Sequence, residues 1–291
     1  KVQIPDCLMS KIFVSDLDGT LLKNDACLSD YSRKNLEMLL AKEIPFSVAT
    51  ARSVVTVRHV LGNLPLRLPV VCSNGAYITD FQSGERLFVN SMDSQIVDEI
   101  IRMIRRVKGN VFLSTFDGTE DKLYLEPIQN EGMKWYRDNR IFHKDPRLND
   151  IKNCLDHLHE AIICINFIER PEVLKEIESE LERIYGDQLV MYIYDVNEVP
   201  GWNWLSIYDR RATKARAIQH LIESLGYETE HLTVFGDHLN DISMFEMAGW
   251  GVATGNARSE LKAIASEVIG TNETDSVVKY LLKVTAHHDW V

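Results

Sequence analysis

Two aspartates one residue apart, Asp16 and Asp18, end the apolar run in KIFVSDLDGTLL, residues 11–22. Ile12, Phe13 and Val14 suit a strand buried on both faces, as in a parallel sheet. If the extended conformation persists, side chains alternate and both carboxylates point to one side. They then repel each other unless a cation or a shared proton compensates. Mg²⁺, a hard ion that takes oxygen ligands and keeps several waters, suits that role. Gly19 frees the backbone to turn, and the Thr20 hydroxyl can fix an Asp side chain locally. The same residues also fit a strand followed by an Asx turn, and D-x-D-G resembles part of a calcium loop.

Near the other end of the chain, LTVFGDHLNDISMFEMAG (232–249) repeats the pattern, with Leu232 to Phe235 running into Gly236, Asp237, Asn240 and Asp241. Parallel strands ending at one edge would bring Asp16, Asp18, Asp237 and Asp241 together, where open α/β sheets bind ligands. Four carboxylates in one pocket demand a metal. GDHLND also reads as a turn with Asn240 or Asp241 starting the helix that Met244 and Phe245 continue, and both readings can hold. His238 admits two readings, a phosphate contact or a loop histidine facing solvent.

The strand PFSVAT (45–50) ends in Thr50, followed by Ala51 and Arg52, with a helix expected from about Ser53. A hydroxyl and amides at a helix N-terminus can bind phosphate oxygens, and Arg52 could add a bidentate contact. An ordinary N-cap beside a surface arginine is the plainer alternative. Lys214, in RRATKARAIQHLIESLG, falls in the first turn of a helix, where the helix dipole disfavours a cation. That misfit points to a partner elsewhere, and the acidic cluster supplies one.

Taken in order, DLDGTLL at 16–22, Thr50 in VATAR, Lys214 in ATKA and GDHLND at 236–241 resemble the four motifs of the haloacid dehalogenase-like phosphohydrolases. The long segment between Thr50 and Lys214, and SNGA at 73–76, resemble the Cof-type branch, in which an α/β cap is inserted between the second and third motifs. Ala51 and Ala215 stand where that branch commonly has glycine. The resemblance implies a Rossmann-like, doubly wound parallel α/β core with an inserted α+β cap, and a Mg²⁺-dependent phosphatase. It implies Asp16 as nucleophile and Asp18 as general acid and base. Mg²⁺ would be held by the Asp16 side chain, the Asp18 carbonyl and Asp237, with Asp241 ligating or orienting its waters. Lys214, Thr50 and the backbone at Leu17, Gly19 and Ala51 would hold phosphoryl oxygens, with Arg52, Asn74 and Asn240 in support. The implied substrates are small phosphorylated metabolites, sugar phosphates first, then cofactors such as flavin mononucleotide or pyridoxal phosphate. A phosphosugar mutase or phosphotransferase of the same superfamily would use the same aspartates, and a catalytically silent Mg²⁺-binding protein is the remaining alternative. A dehalogenase needs neither Asp18 nor the metal cluster, and a receiver-type signalling domain would be far shorter.

At 291 residues with 45% hydrophobic and 26% charged side chains, the chain is long enough for two globular domains. The expected division is 1–83 core, 84–208 cap and 209–291 core, with hinges near 80–90 and 205–212. A net charge of −11 disfavours nucleic acid and anionic membrane as partners. The five cysteines, Cys7, Cys27, Cys72, Cys154 and Cys164, make no C-x-x-C pair and suggest a reducing, cytoplasmic setting. Nothing approaches a signal peptide or a spanning segment, and a monomer or small homo-oligomer is expected. His287 and His288 read as a solvated tail.

Strands and helices alternate in the flanking pieces, with strands at 11–17, 45–50 and 69–73, helices at about 29–42 and 53–62, and later helices near 258–266 and 275–284. Between them an amphipathic helix is expected at 93–108, then strand, an Asp117-Gly118 turn and strand over 111–125. AIICINFIE, a helix at 171–185, LVMYIYDV and WNWLSIYD complete a sheet with helices on one face. Tyr192, Tyr194, Trp202 and Trp204, with Asn203, could stack on a sugar or flat ring; packing against the sheet is the reading favoured.

Overall fold

The computed structural model describes residues 11–196 and 198–286; Cys7, His287 and His288 lie outside them. The chain forms two compact units, one up to Val89 and again from Thr213, the other Asn90–Ala212.

The first unit opens with β1 (Ile12–Ser15), α1 (Asp30–Ala41), β2 (Phe46–Val48) and α2 (Val54–Leu61), then β3 (Val70–Cys72), β4 (Tyr77–Thr79) and β5 (Arg86–Val89). The second holds α3 (Ser94–Arg106), β6 (Phe112–Phe116), β7 (Asp121–Leu125), α4 (Glu131–Phe142), β8 (Leu148–Asp150), β9 (Ala161–Glu169), α5 (Pro171–Tyr185), β10 (Leu189–Asp195) and β11 (Asn203–Asp209). The first unit resumes with α6 (Lys214–Ser224), β12 (Leu232–Gly236), α7 (Ile242–Met247), β13 (Trp250–Ala253), α8 (Ser259–Ile264), β14 (Glu267–Val268) and α9 (Ser276–Thr285).

In the first unit a five-stranded sheet runs β14-β13-β12-β1-β2, with every neighbouring pair parallel. Alternation sends Ile12, Val14, Leu232 and Val234 into a cluster with Ile218, Leu221, Met244 and Leu261 of α6, α7 and α8. Phe13 and Phe235 face the other way, where their rings stack 6.5 Å apart and Tyr280 of α9 meets Phe235 edge-on. Both faces are thus helix-covered, which is why β1 is apolar throughout. Capping sets the helix starts: Ser29 accepts from the Ser32 amide before α1, and Ser53 from the Thr56 amide before α2.

The third expected strand behaves differently. β3 touches the parallel sheet through a bridge between Ala49 and Val71, then pairs antiparallel with β4, which pairs with β5. The turn at SNGA causes the reversal, because Ser73, Asn74 and Gly75 all have positive φ, 49°, 54° and 94°. Residues 84–89 belong to the first unit through the β4–β5 ladder.

The second unit is α+β, with a six-stranded sheet ordered β10-β11-β9-β6-β7-β8. α3 and α5 bury Ile100, Ile104, Leu174, Ile177 and Leu181 against Leu113, Ile165, Phe167, Leu205 and Ile207. The β6–β7 turn holds as an Asx turn, the Asp117 carboxylate accepting from the Thr119 and Glu120 amides. Helices do not keep to one face, however. α4, absent from the sequence reading, packs Met133 and Tyr136 on the opposite face against Phe112, Leu125 and Ile168. Its weak amphipathicity hid it, since Ile141 and Phe142 are apolar yet exposed.

Candidate active site

Parallel register delivers the acidic residues to one edge. Ser15 pairs with Phe235 and with Val48, so β1, β12 and β2 end side by side. The Asp16 amide donates to the Phe235 carbonyl at 2.9 Å and the Ala49 amide to the Ser15 carbonyl at 2.9 Å. Asp16, Asp237 and Thr50 therefore emerge together from the carboxyl ends of three strands.

Asp16 is nearly buried and Lys214 fully so. The Lys214 ammonium donates to Asp16 Oδ1 at 2.8 Å and to Asp241 Oδ1 at 2.6 Å. Asp241 Oδ2 accepts from the amides of Asp237 at 2.9 Å and His238 at 3.0 Å. One carboxylate thus orders the loop that presents Asp237. Asp237 itself accepts from the Thr20 hydroxyl at 2.8 Å, a long-range bond rather than the local one expected of Thr20.

The electrostatics are unbalanced. Burial, then repulsion from Asp241 and Asp237 against the pull of Lys214, leaves the Asp16 carboxyl well above its ordinary range. Burial and Asp241 push Asp237 up to about 7. Burial would strip the Lys214 proton, yet Asp16 and Asp241 outweigh it and hold the ammonium above its ordinary value. Oxygen atoms of Asp16, Asp237 and Asp241 lie within 4.8 Å of one another. Two buried carboxylates and a half-buried one around a single ammonium make an all-oxygen donor set with excess negative charge, which fits a hard divalent cation such as Mg²⁺.

Asp18 is a correction to the four-carboxylate pocket. Its side chain is half exposed and takes two hydrogen bonds from Arg52, so it stands apart from the buried cluster. Arg52 correspondingly grips Asp18, whose charge outweighs burial and raises the guanidinium further. The backbone turns helical at Leu17, between the two aspartates; Asp18 is itself extended, and after it Gly19 has φ +72°, where a Cβ would stand 2.3 Å from Asp237 Oδ2. Leu17 is buried as a packing side chain.

Thr50 is buried, and its hydroxyl accepts from the Arg52 amide at 3.1 Å. Exposed Ala51 lies in that turn, ahead of the helix cap at Ser53. Asn74, fully buried, donates its amide to the Thr50 carbonyl, and its Oδ1 accepts from Asn240 Nδ2 at 3.0 Å. The SNGA turn therefore bridges Thr50 to the acidic loop. Gly75 completes the brace, because a Cβ would meet the Thr213 carbonyl at 2.2 Å, immediately before Lys214.

Asn256 escaped the sequence reading. Its Nδ2 donates to the Gly19 carbonyl at 2.8 Å and its Oδ1 accepts from the Asn272 amide at 3.0 Å. A lone asparagine in a loop after a strand gives no signal of a partner more than two hundred positions earlier.

A sequence profile of haloacid dehalogenase-like hydrolases matches residues 13–281. The pyridoxal phosphate phosphatase YbhA of Escherichia coli is 25% identical over 279 residues, covering 94% of this chain and 98% of its own. The 5-amino-6-(5-phospho-D-ribitylamino)uracil phosphatase YcsE of Bacillus subtilis is 28% identical over 271 residues, covering 92% and 93%. The crystal structure of TM0651 from Thermotoga maritima superposes with a TM-score of 0.76 at 27% identity, covering 94% of this chain and 97% of that one. No helix among the described residues is long and apolar enough to cross a membrane. The chain belongs to the haloacid dehalogenase-like hydrolase family.

Proposed function

We propose that this enzyme is a phosphatase that hydrolyses phosphomonoesters of small metabolites through an aspartyl phosphate on Asp16, with Mg²⁺ as cofactor. The observation that carries the reading is the buried Asp16 carboxylate at the end of β1, held at 2.8 Å by Lys214 beside Asp237 and Asp241. Asp16 attacks phosphorus, the ester oxygen leaves with a proton from Asp18, and water then cleaves the acyl phosphate with Asp18 as base. Lys214 and the Thr50 hydroxyl neutralise and orient the phosphoryl oxygens. Asp241 keeps Lys214 and the Asp237 loop in place, while Asn74 and Asn240 tie that loop to Thr50. Asp16, Asp237 and Asp241 would hold the metal, which when bound supplies the positive charge that lets a carboxylate approach a phosphate dianion.

The two curated relatives act by name on phosphorylated ring compounds, so such compounds come first in a substrate panel and sugar phosphates second. The test is phosphate release from pyridoxal phosphate, flavin mononucleotide and several sugar phosphates, with Mg²⁺ or EDTA, for wild type beside Asp16→Asn. Metal-dependent release that vanishes in the variant is expected. Release that survives in Asp16→Asn would sink the mechanism.

A further inference from the structure

Residues 254–258, which follow β13 in the first unit, touch both acidic loops at once. Their amides hold the second loop: Thr254 donates to the Gly236 carbonyl at 3.2 Å and Arg258 to the Asp237 carbonyl at 2.8 Å. Their side chains hold the first, since the Gly19 carbonyl accepts from Asn256 Nδ2 at 2.8 Å and from the buried Thr254 hydroxyl at 3.4 Å. Asn256 is exposed, and its Oδ1 is fixed by the Asn272 amide. Asn272, only 2% exposed, reaches the far end of the same turn, donating through Nδ2 to the Leu22 carbonyl at 3.0 Å.

Gly19 is the joint that needs such an anchor. Its φ of +72° is one that glycine enters and leaves at little cost, so the residue does not itself decide where its carbonyl points. The bond that closes the turn, from the Leu22 amide to the Leu17 carbonyl at 2.8 Å, spans Gly19 without engaging it. Asp18 and Thr20 stand on either side, and Thr20 is tied to Asp237 through its hydroxyl.

We propose that Asn256 is a positioning residue for proton transfer: by fixing the Gly19 carbonyl it aims the Asp18 carboxyl at the leaving oxygen of the ester. The proposal rests on the phosphatase reading. As the bond from phosphorus to the leaving oxygen breaks, the Asp18 proton passes to that oxygen, and displacing the acid by about 1 Å costs of order a hundredfold in rate. Once a phosphate draws Arg52 away, the adjoining peptide is what keeps Asp18 in place. The Asp237 backbone is gripped by amides rather than by the Asn256 side chain, so losing that side chain loosens the Asp18 turn and leaves the metal-cluster carboxylates in register.

The test compares kcat/KM for an alkyl phosphomonoester and for p-nitrophenyl phosphate in wild type, Asn256→Ala and Asn256→Asp. This ratio reports the steps up to departure of the leaving group, and p-nitrophenolate departs without needing a proton. Asn256→Ala should lower kcat/KM about tenfold or more for the alkyl ester and less than about threefold for the nitrophenyl ester. Asn256→Asp keeps the acceptor for the Asn272 amide but has no donor for Gly19, and should show the same split. The rise in thermal midpoint with Mg²⁺ should be retained in both variants. An unchanged alkyl-ester rate, equal losses on both esters, wild-type rates in Asn256→Asp or a lost Mg²⁺ shift would overturn the proposal. Amide hydrogen exchange across 17–22 reads the anchor without turnover and should quicken in Asn256→Ala; unchanged exchange would also overturn it. Wild type that releases no phosphate, while Asn256→Ala still speeds exchange, would count against the phosphatase reading and keep Asn256 as the anchor of the turn.

Discussion

Arg52 holds Asp18 through two parallel hydrogen bonds, Nε to Oδ2 at 2.7 Å and Nη2 to Oδ1 at 2.6 Å. Both carboxylate oxygens are engaged, so Asp18 can serve a leaving group only when the guanidinium lets go. A phosphate is the natural competitor for that fork. Arg52→Ala should raise KM about tenfold with a smaller change in kcat, and Arg52→Lys, which cannot form the fork, should recover only part. Steady-state kinetics on one phosphomonoester decides this, and an unchanged KM would exclude Arg52 from substrate binding.

Lys214 bridges two buried carboxylates. Lys214→Met would leave Asp16 and Asp241 uncompensated, at a cost of about 3–5 kcal/mol for a broken buried pair. The thermal midpoint without added metal should fall sharply and rise again in Lys214→Met/Asp241→Asn.

Metal should act on stability as well as turnover. Because Asp16, Asp237 and Asp241 repel one another when folded, Mg²⁺ should raise the thermal midpoint in a concentration-dependent way that EDTA reverses, following mass action. Asp237→Asn should abolish the shift while the apo midpoint stays the same or rises.

Gly19→Ala joins two penalties, a positive φ and a Cβ 2.3 Å from Asp237 Oδ2. The variant should remain folded yet lose the Mg²⁺ midpoint shift, since the contact displaces a metal-cluster carboxylate rather than core packing.

Burial pushes the Cys164 thiol up from 9.0 to about 12. The folded chain therefore keeps a proton that the unfolded chain loses above pH 9. The contribution is complete below about pH 9 and is lost as pH rises toward 12, roughly 2 kcal/mol by pH 10.5. Thermal midpoints from pH 8 to 11 should fall less steeply for Cys164→Ala than for wild type.

Much of this protein is local and therefore readable. The apolar run before Asp16, the repeat of that pattern before Asp237, the Ser53 cap and the helix at 171–185 each follow from short-range periodicity or capping, and they determine a parallel core and the residues at its edge. What tertiary structure alone decided is where polar side chains find partners. Asp18 was expected beside Asp16, but the helical backbone at Leu17 breaks the strand alternation between them and Arg52 claims its carboxylate. Thr20 bonds Asp237, Asn256 holds Gly19, and Asn74 meets Asn240 across separations of more than 160 residues. A hydrogen bond needs only two groups at the right distance, and no sequence spacing encodes that distance once the chain has crossed the sheet.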